Sequence, residues 1–142
     1  MDPVPCYAAN VRRAALALTS LYDAALAPHG LKVTQYSLLH AVKRHGRPNL
    51  TALAAATGLD RSTLGRNLRV LEGMGLVALG PGEDQRDRVA ALTEEGRARL
   101  RAAAPAWAAA QRAVERVLGA NAEQLTELAR RLAALPGDSE AA

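Results

Sequence analysis

The chain has no phenylalanine, one tryptophan, three tyrosines and a single cysteine among its 142 residues. A core without Phe must be filled by Leu, Ala and Val. One thiol, Cys6, excludes an internal disulfide. The three histidines share no metal-site spacing, since His40 and His45 stand five apart and off one helical face, so no metal is expected. Lysine is nearly absent: Lys32 and Lys43 are the only two, and arginine carries the remaining basic charge, which suits bidentate contacts. A phosphate-binding glycine loop, a nucleophile elbow and a convincing carboxylate pair are all missing, so neither enzyme nor cofactor is expected. The opening MDPVPCY has no signal-peptide pattern, and no apolar run approaches the roughly 20 residues of a membrane span. A cytoplasmic protein without a membrane partner is the expectation.

What is present is concentrated between Leu59 and Leu92. Asp60 is a good N-cap, Arg61 opens a helix, and Gly75 stands where a left-handed residue would close it. Leu64, Leu68 and Leu71 fall on one face of that helix, while Ser62, Gly65, Arg66 and Arg69 face away. An apolar stripe backed by Ser, Gly and Arg suits a helix pressed against phosphates and guanine edges. Two short apolar runs follow, Leu76 to Leu79 and Val89 to Leu92, with GPGEDQRDR between them as turn material. They predict a hairpin whose tip carries Asp84, Arg86, Asp87 and Arg88. Helix then charged hairpin is the layout of a winged helix-turn-helix.

Bulk charge adds little. The formal net charge is +4, mildly basic and consistent with a nucleic-acid partner. Within the reading segment, though, Arg61, Arg66, Arg69, Arg86 and Arg88 are balanced by Asp60, Glu72, Glu83, Asp84 and Asp87. The excess lies at Arg12 and Arg13, at Lys43 to Arg47, and at Arg97 to Arg101. Function is therefore argued from the placement of the arginines.

Around this segment the pattern is helical. A first helix from about Val4 to Ala27 puts Val11, Ala14, Leu18, Leu21 and Ala25 on one stripe. Thr34 is expected to cap a second helix through His45, and Asn49 a short third one closed by Gly58 at the turn of the helix-turn-helix. Thr93 should cap a long helix weakened in its first turn by Gly96 and kinked at Pro105, ending at Gly119. Asn121 with Gln124 reads as a capping box for a last helix. There Leu125, Leu128, Leu132 and Leu135 repeat at the spacing of a coiled-coil seam. The expected fold is mainly α with a small β-hairpin wing. It forms one domain over 1–142, with a reading unit at about 34–92 and outer helices at about 4–30 and 93–135. The apolar stripes of the outer helices exceed what one small reading unit can cover, so a homodimer is expected, its two recognition helices set one helical turn apart on a palindromic DNA site.

RSTLGRNLRVLEGMGLV, then D-x-R at Asp84 to Arg86, then ALTEEGRA, together resemble the multiple antibiotic resistance regulator (MarR) family, in order and spacing, from about Cys6 to Leu135. The resemblance implies a winged helix-turn-helix transcriptional regulator, typically a repressor, that dimerises through its N-terminal helix and two C-terminal helices. It implies DNA contacts from Ser62, Thr63, Arg66 and Arg69, with Arg86 of the wing entering the minor groove, Asp84 orienting its guanidinium, and Arg88 nearby. This wing is about one residue shorter than the family pattern, and Leu79-Gly80-Pro81 replaces basic residues common there.

The resemblance also implies an effector, usually a small aromatic anion held between the dimer helices and the reading unit. Asn10, Arg13, Tyr36, His40 and Trp107 are its candidate contacts. Some relatives sense hydroperoxides through a cysteine placed like Cys6, which makes redox sensing an alternative. Those sensors carry a Tyr four residues on, where this chain has Asn10, and an inert thiol in an interface is the plainer reading. The other alternative is a helical protein-interaction module that binds no DNA and uses the Leu125–Leu135 seam.

Overall fold

The computed structural model describes residues 5–84 and 87–137. Six helices and one hairpin follow in the order α1 (Tyr7–Leu26), α2 (Val33–His45), α3 (Leu50–Thr57), α4 (Arg61–Gly73), β1 (Val77–Pro81), β2 (Arg88–Leu92), α5 (Glu94–Leu118) and α6 (Ala122–Ala133). Short 3₁₀ turns at Ala27–His29 and Gly119–Asn121 join α1 to α2 and α5 to α6. This is a mainly helical fold with a two-stranded antiparallel wing.

Local chemistry sets most of the boundaries. Asn49 accepts a hydrogen bond from the Ala52 amide at 2.8 Å, Asp60 from Thr63 at 2.7 Å, and Thr93 from Gly96 at 3.0 Å, so each side chain satisfies an amide that the first turn leaves free. Gly58 and Gly75, at φ +73° and +76°, supply the left-handed residues after α3 and α4.

Three expectations fail for tertiary or neighbouring-residue reasons. Helix α2 starts before Thr34, with Lys32 at the N-cap position. Gln35 accepts from the Lys32 amide at 3.0 Å, and Asp23 of α1 accepts from the Val33 amide at 2.8 Å. Asn121 does not cap α6: it is held in helical backbone by the preceding 3₁₀ turn and its side chain makes no capping bond. Helix α6 ends at Ala133, so Leu135 falls outside it and the helical seam is Leu125, Leu128 and Leu132. Pro105 lies within an unbroken α5, and Pro105 and Arg101 are both exposed, so the carbonyl that proline leaves without a helical partner is on the solvent side.

The core is aliphatic, as the absence of Phe requires. Leu39 and Val42 of α2, Leu53 of α3, and Leu64, Leu68 and Leu71 of α4 are fully buried, and Leu76, Ala90, Leu100 and Ala103 close it from the wing and α5. Gly96 is buried for a reason that helix propensity hides. A Cβ there would stand 2.1 Å from the Leu76 carbonyl oxygen, so only glycine lets the start of α5 lie against the chain leaving α4.

The outer helices are less covered. Leu26 is the only buried residue of α1, and α6 buries none. The exposed large apolar side chains are Tyr7, Val11, Leu16 and Leu21 of α1, Val117 of α5, Leu125, Leu128 and Leu132 of α6, Leu135 beyond it, and Val70 of α4. Among the described residues no helix is long and apolar enough to cross a membrane.

Candidate nucleic-acid interface

Helix α4 is anchored by Leu64, Leu68 and Leu71, which fixes what it shows outward. Ser62, Arg66 and Arg69 are exposed, and Thr63 is half-buried. Thr63 links the helix cap to the arginine. Its hydroxyl donates to Asp60 Oδ2 at 3.0 Å and accepts from Arg66 Nη2 at 3.3 Å. One terminal nitrogen of the Arg66 guanidinium is therefore held by the Thr63 hydroxyl, and its other donors are left to reach outward. Hydrogen bonds from the Thr63 amide and then its hydroxyl hold the Asp60 carboxyl below the usual carboxylate range.

Beside this relay lies an open basin of about 520 Å³ lined by Leu50, Arg61, Ser62, Gly65, Arg66 and Arg69. No carboxylate is in its lining, and among the described residues none of its three guanidiniums makes an ion pair. Unpaired arginines around an open concavity suit a polyanion. Sequence reasoning finds Ser62, Arg66 and Arg69 but misses Leu50, whose place there depends on how the start of α3 crosses α4. Arg61 is equally readable as a solvated helix face until the basin is seen.

The wing stands next to this helix. Val77 pairs with Leu92 and Pro81 with Arg88, and Gly82 donates to the Asp87 carbonyl at 2.8 Å to close the hairpin. Arg88 is exposed at the distal end of β2, and Asp84 is exposed in the turn. Gln85 and Arg86 lie outside the described residues, so the expected wing arginine is not placed. The second strand of the hairpin is joined to the residues before α3, where the Ala90 amide donates to the Pro48 carbonyl at 3.0 Å and Asn49 bridges to Val89.

A second site lies between α2 and α5. Tyr36, Ser37, His40 and Trp107 line a cavity of about 230 Å³. Tyr36 stacks between two rings, its centroid 5.9 Å from Trp107 and 6.3 Å from His40. Burial pushes the Tyr36 phenol above its ordinary pKa. The other two candidate effector residues do not join this cavity within one chain. Asn10 is exposed on α1, donating to the Cys6 carbonyl at 2.9 Å, and Arg13 is exposed one turn further on. Ser37 lines the cavity but gave no signal in sequence. Cys6 is a free, exposed thiol at the N-cap position of α1. Among the described residues no group of His, Cys, Asp or Glu side chains is placed to hold a metal ion.

Helix, turn, Arg-bearing helix and wing are matched in known proteins. Residues 29–87 match the sequence profile of the MarR family. The fold is similar to the DNA complex of the Mycobacterium tuberculosis transcriptional regulator MosR, at 38% identity, covering 89% of this chain and 99% of that one, with a TM-score of 0.76. It is similar to the transcriptional repressor CouR bound to a 23-mer DNA duplex, at 27% identity, 90% and 92% coverage, and a TM-score of 0.81. It is also similar to CouR from Rhodococcus jostii RHA1 bound to p-coumaroyl-CoA, at 29% identity, 89% and 91% coverage, and a TM-score of 0.73. None of the curated proteins matches the chain. With the recognition helix, the wing and a relative of this identity along nearly its whole length, the chain belongs to the MarR family of DNA-binding transcriptional regulators.

Proposed function

We propose that the protein is a homodimeric repressor that holds a palindromic operator through α4 and the wing and is released by a small aromatic ligand. The observation that carries the DNA part is the basin of Arg61, Arg66 and Arg69, with Arg66 tethered through Thr63 to the helix cap. Ser62, Thr63, Arg66 and Arg69 face the groove from the helix, with Thr63 acting through Arg66; Asp84, Arg86 and Arg88 serve the wing. The homodimer is favoured by the exposed apolar residues of α1 and α6, which a second copy would cover. Leu125, Leu128 and Leu132 are its contacts on α6. Two-fold symmetry then sets the recognition helices about 34–36 Å apart, in successive major grooves.

The ligand reading rests on the Tyr36–His40–Trp107 cavity, apolar ring faces with a hydroxyl and an imidazole at the rim. The related CouR holds p-coumaroyl-CoA, which favours an aromatic acid or its thioester here. The test is a gel shift on duplex DNA flanking the protein's own gene, with and without a panel of aromatic acids and thioesters. A retarded dimer complex that one of these compounds dissolves is the expected result. No retarded species on any fragment would remove the DNA reading, and retarded complexes that every compound leaves intact would remove the ligand reading.

A further inference from the structure

Two glycines of α4, Gly65 and Gly73, have no reason within the fold, and of the two only Gly65 lines the basin. Glycine is a poor helix former because it loses the most backbone freedom on ordering. At three nearby glycines the reason is visible: Gly58 and Gly75 have positive φ, and Gly96 lies against the Leu76 carbonyl. Gly65 has neither reason. Its φ is not positive, and a Cβ built on it would meet nothing within 4 Å. Yet it lies in the middle of the recognition helix and lines the basin with Arg61, Ser62, Arg66, Arg69 and Leu50.

We propose that Gly65 is where the sugar–phosphate backbone of bound DNA comes into van der Waals contact with α4, and that a side chain is absent because a Cβ would stand in the path of the strand. The position on the helix selects the backbone over a base edge. With 3.6 residues per turn, Gly65 points at roughly a right angle to the buried stripe of Leu64, Leu68 and Leu71, whereas Arg66 points nearly opposite to it. A helix lying in the major groove turns the face opposite its core to the base edges and its flanks to the phosphate walls. The flank at Gly65 is also the one bordered by Leu50, the first residue of α3. Three guanidiniums with no carboxylate among them match the charge of such a wall.

The inference rests on the DNA-binding reading, and the experiment separates the two. The probe is a duplex selected from random DNA by the wild-type protein, together with its single-base variants. Gly73 provides the control, being in the same helix with an equally open Cβ position but outside the basin. Both Gly65→Ala and Gly73→Ala should keep or raise the thermal midpoint, because alanine favours helix. Gly65→Ala should bind the selected duplex about tenfold more weakly, and by the same factor on every variant duplex, while Gly73→Ala binds like wild type. Wild-type affinity in Gly65→Ala overturns the inference, as does an equal loss in Gly73→Ala or a loss confined to one base pair. A thermal midpoint that falls with the affinity also overturns it. Failure of the wild type to select any duplex removes the DNA reading itself.

Discussion

Thr93 Oγ1 donates a 2.6 Å hydrogen bond to the carbonyl of Gly75, tying the first residue before α5 to the left-handed residue after α4. The same side chain accepts from the Gly96 amide at 3.0 Å, and the Thr93 amide donates to the Leu76 carbonyl at 3.1 Å. The recognition helix and the long helix that reaches the Tyr36–Trp107 cavity are thus joined by a short, fully bonded junction. Arg99 extends it, donating to the His29 carbonyl at 3.2 Å and pairing with Glu95 at 3.2 Å.

Gly96→Ala should destabilise the protein. Helix propensity alone favours alanine by about 1 kcal/mol. A Cβ placed 2.1 Å from a backbone oxygen must instead push α5 away from Leu76, and overpacking of this kind costs about 1–3 kcal/mol or more. The second effect wins, because backbone cannot step aside as a side chain can. Urea denaturation should show a lower midpoint at unchanged slope. A variant as stable as wild type would mean that the junction is looser than this contact.

Asp60 makes the start of α4 sensitive to acid. Its carboxylate is hydrogen-bonded in the folded state, which lowers its pKa relative to the unfolded chain. A depressed carboxyl contributes stability that is complete above the unfolded value, about 3.9, and is lost as pH falls through the folded one. The group is fully exposed, so the effect is small. Asp60→Asn keeps an oxygen for the Thr63 amide and should flatten this part of the stability profile below about pH 4. Thermal midpoints of both proteins between pH 2 and 6 measure it, and parallel profiles would exclude Asp60 as a contributor.

Arg66→Ala should weaken operator binding by about 1–3 kcal/mol with fold and assembly intact. Thr63→Val removes the hydroxyl that holds Arg66 and should weaken binding by less. Because the two act through one guanidinium, their effects should not add. Additive losses in a double-mutant cycle would give Thr63 a DNA contact of its own.

The caps at Asn49, Asp60 and Thr93 were legible because each bond closes within three residues. The buried stripe of α4 was legible because period and core direction coincide. The contact that requires glycine at Gly96 is not legible, since Leu76 lies in the turn between α4 and β1. The start of α2 is not legible because its amide partner for Val33 is Asp23, in the last turn of the preceding helix. In the effector set, Tyr36 and His40 share a helix and were easily paired, and Trp107 joined them across α5. Arg13 and Asn10 were grouped with them by resemblance, and within one chain α1 carries them elsewhere.

Leu128→Glu should leave the proposed homodimer as monomers. In the single chain Leu125, Leu128 and Leu132 are 40%, 50% and 50% exposed, which costs the isolated chain little to charge but costs an interface a buried carboxylate. Light scattering should report the mass of one chain, and operator affinity should fall with it because the two half-sites are no longer linked. A dimer of unchanged mass would place the interface away from α6.

Signal transfer from the cavity to DNA makes the most demanding prediction. Trp107 and Gly96 are eleven residues apart on α5, about 16 Å along the helix axis, so the wall of the cavity and the junction to α4 belong to one continuous helix. A ligand that separates Trp107 from Tyr36 must tilt α5 or displace α2, and a tilt of α5 would move the recognition helix through Thr93 and Gly75. If ligand and operator favour different positions of α5, each must weaken the other by the same factor, about 5–150-fold. Tyr36→Ala should therefore bind operator normally yet need far more ligand for release, since the ring that stacks on Trp107 is gone. Arg13→Ala serves as a second probe: within one chain Arg13 lies outside the cavity, so it changes release only if a partner's α1 completes the site. Ligand affinity is measured by calorimetry with and without saturating operator, and operator affinity with and without saturating ligand. A factor near one in both titrations would mean that ligand and operator share no conformational equilibrium. Unchanged release by Tyr36→Ala would move the sensor to another part of the protein.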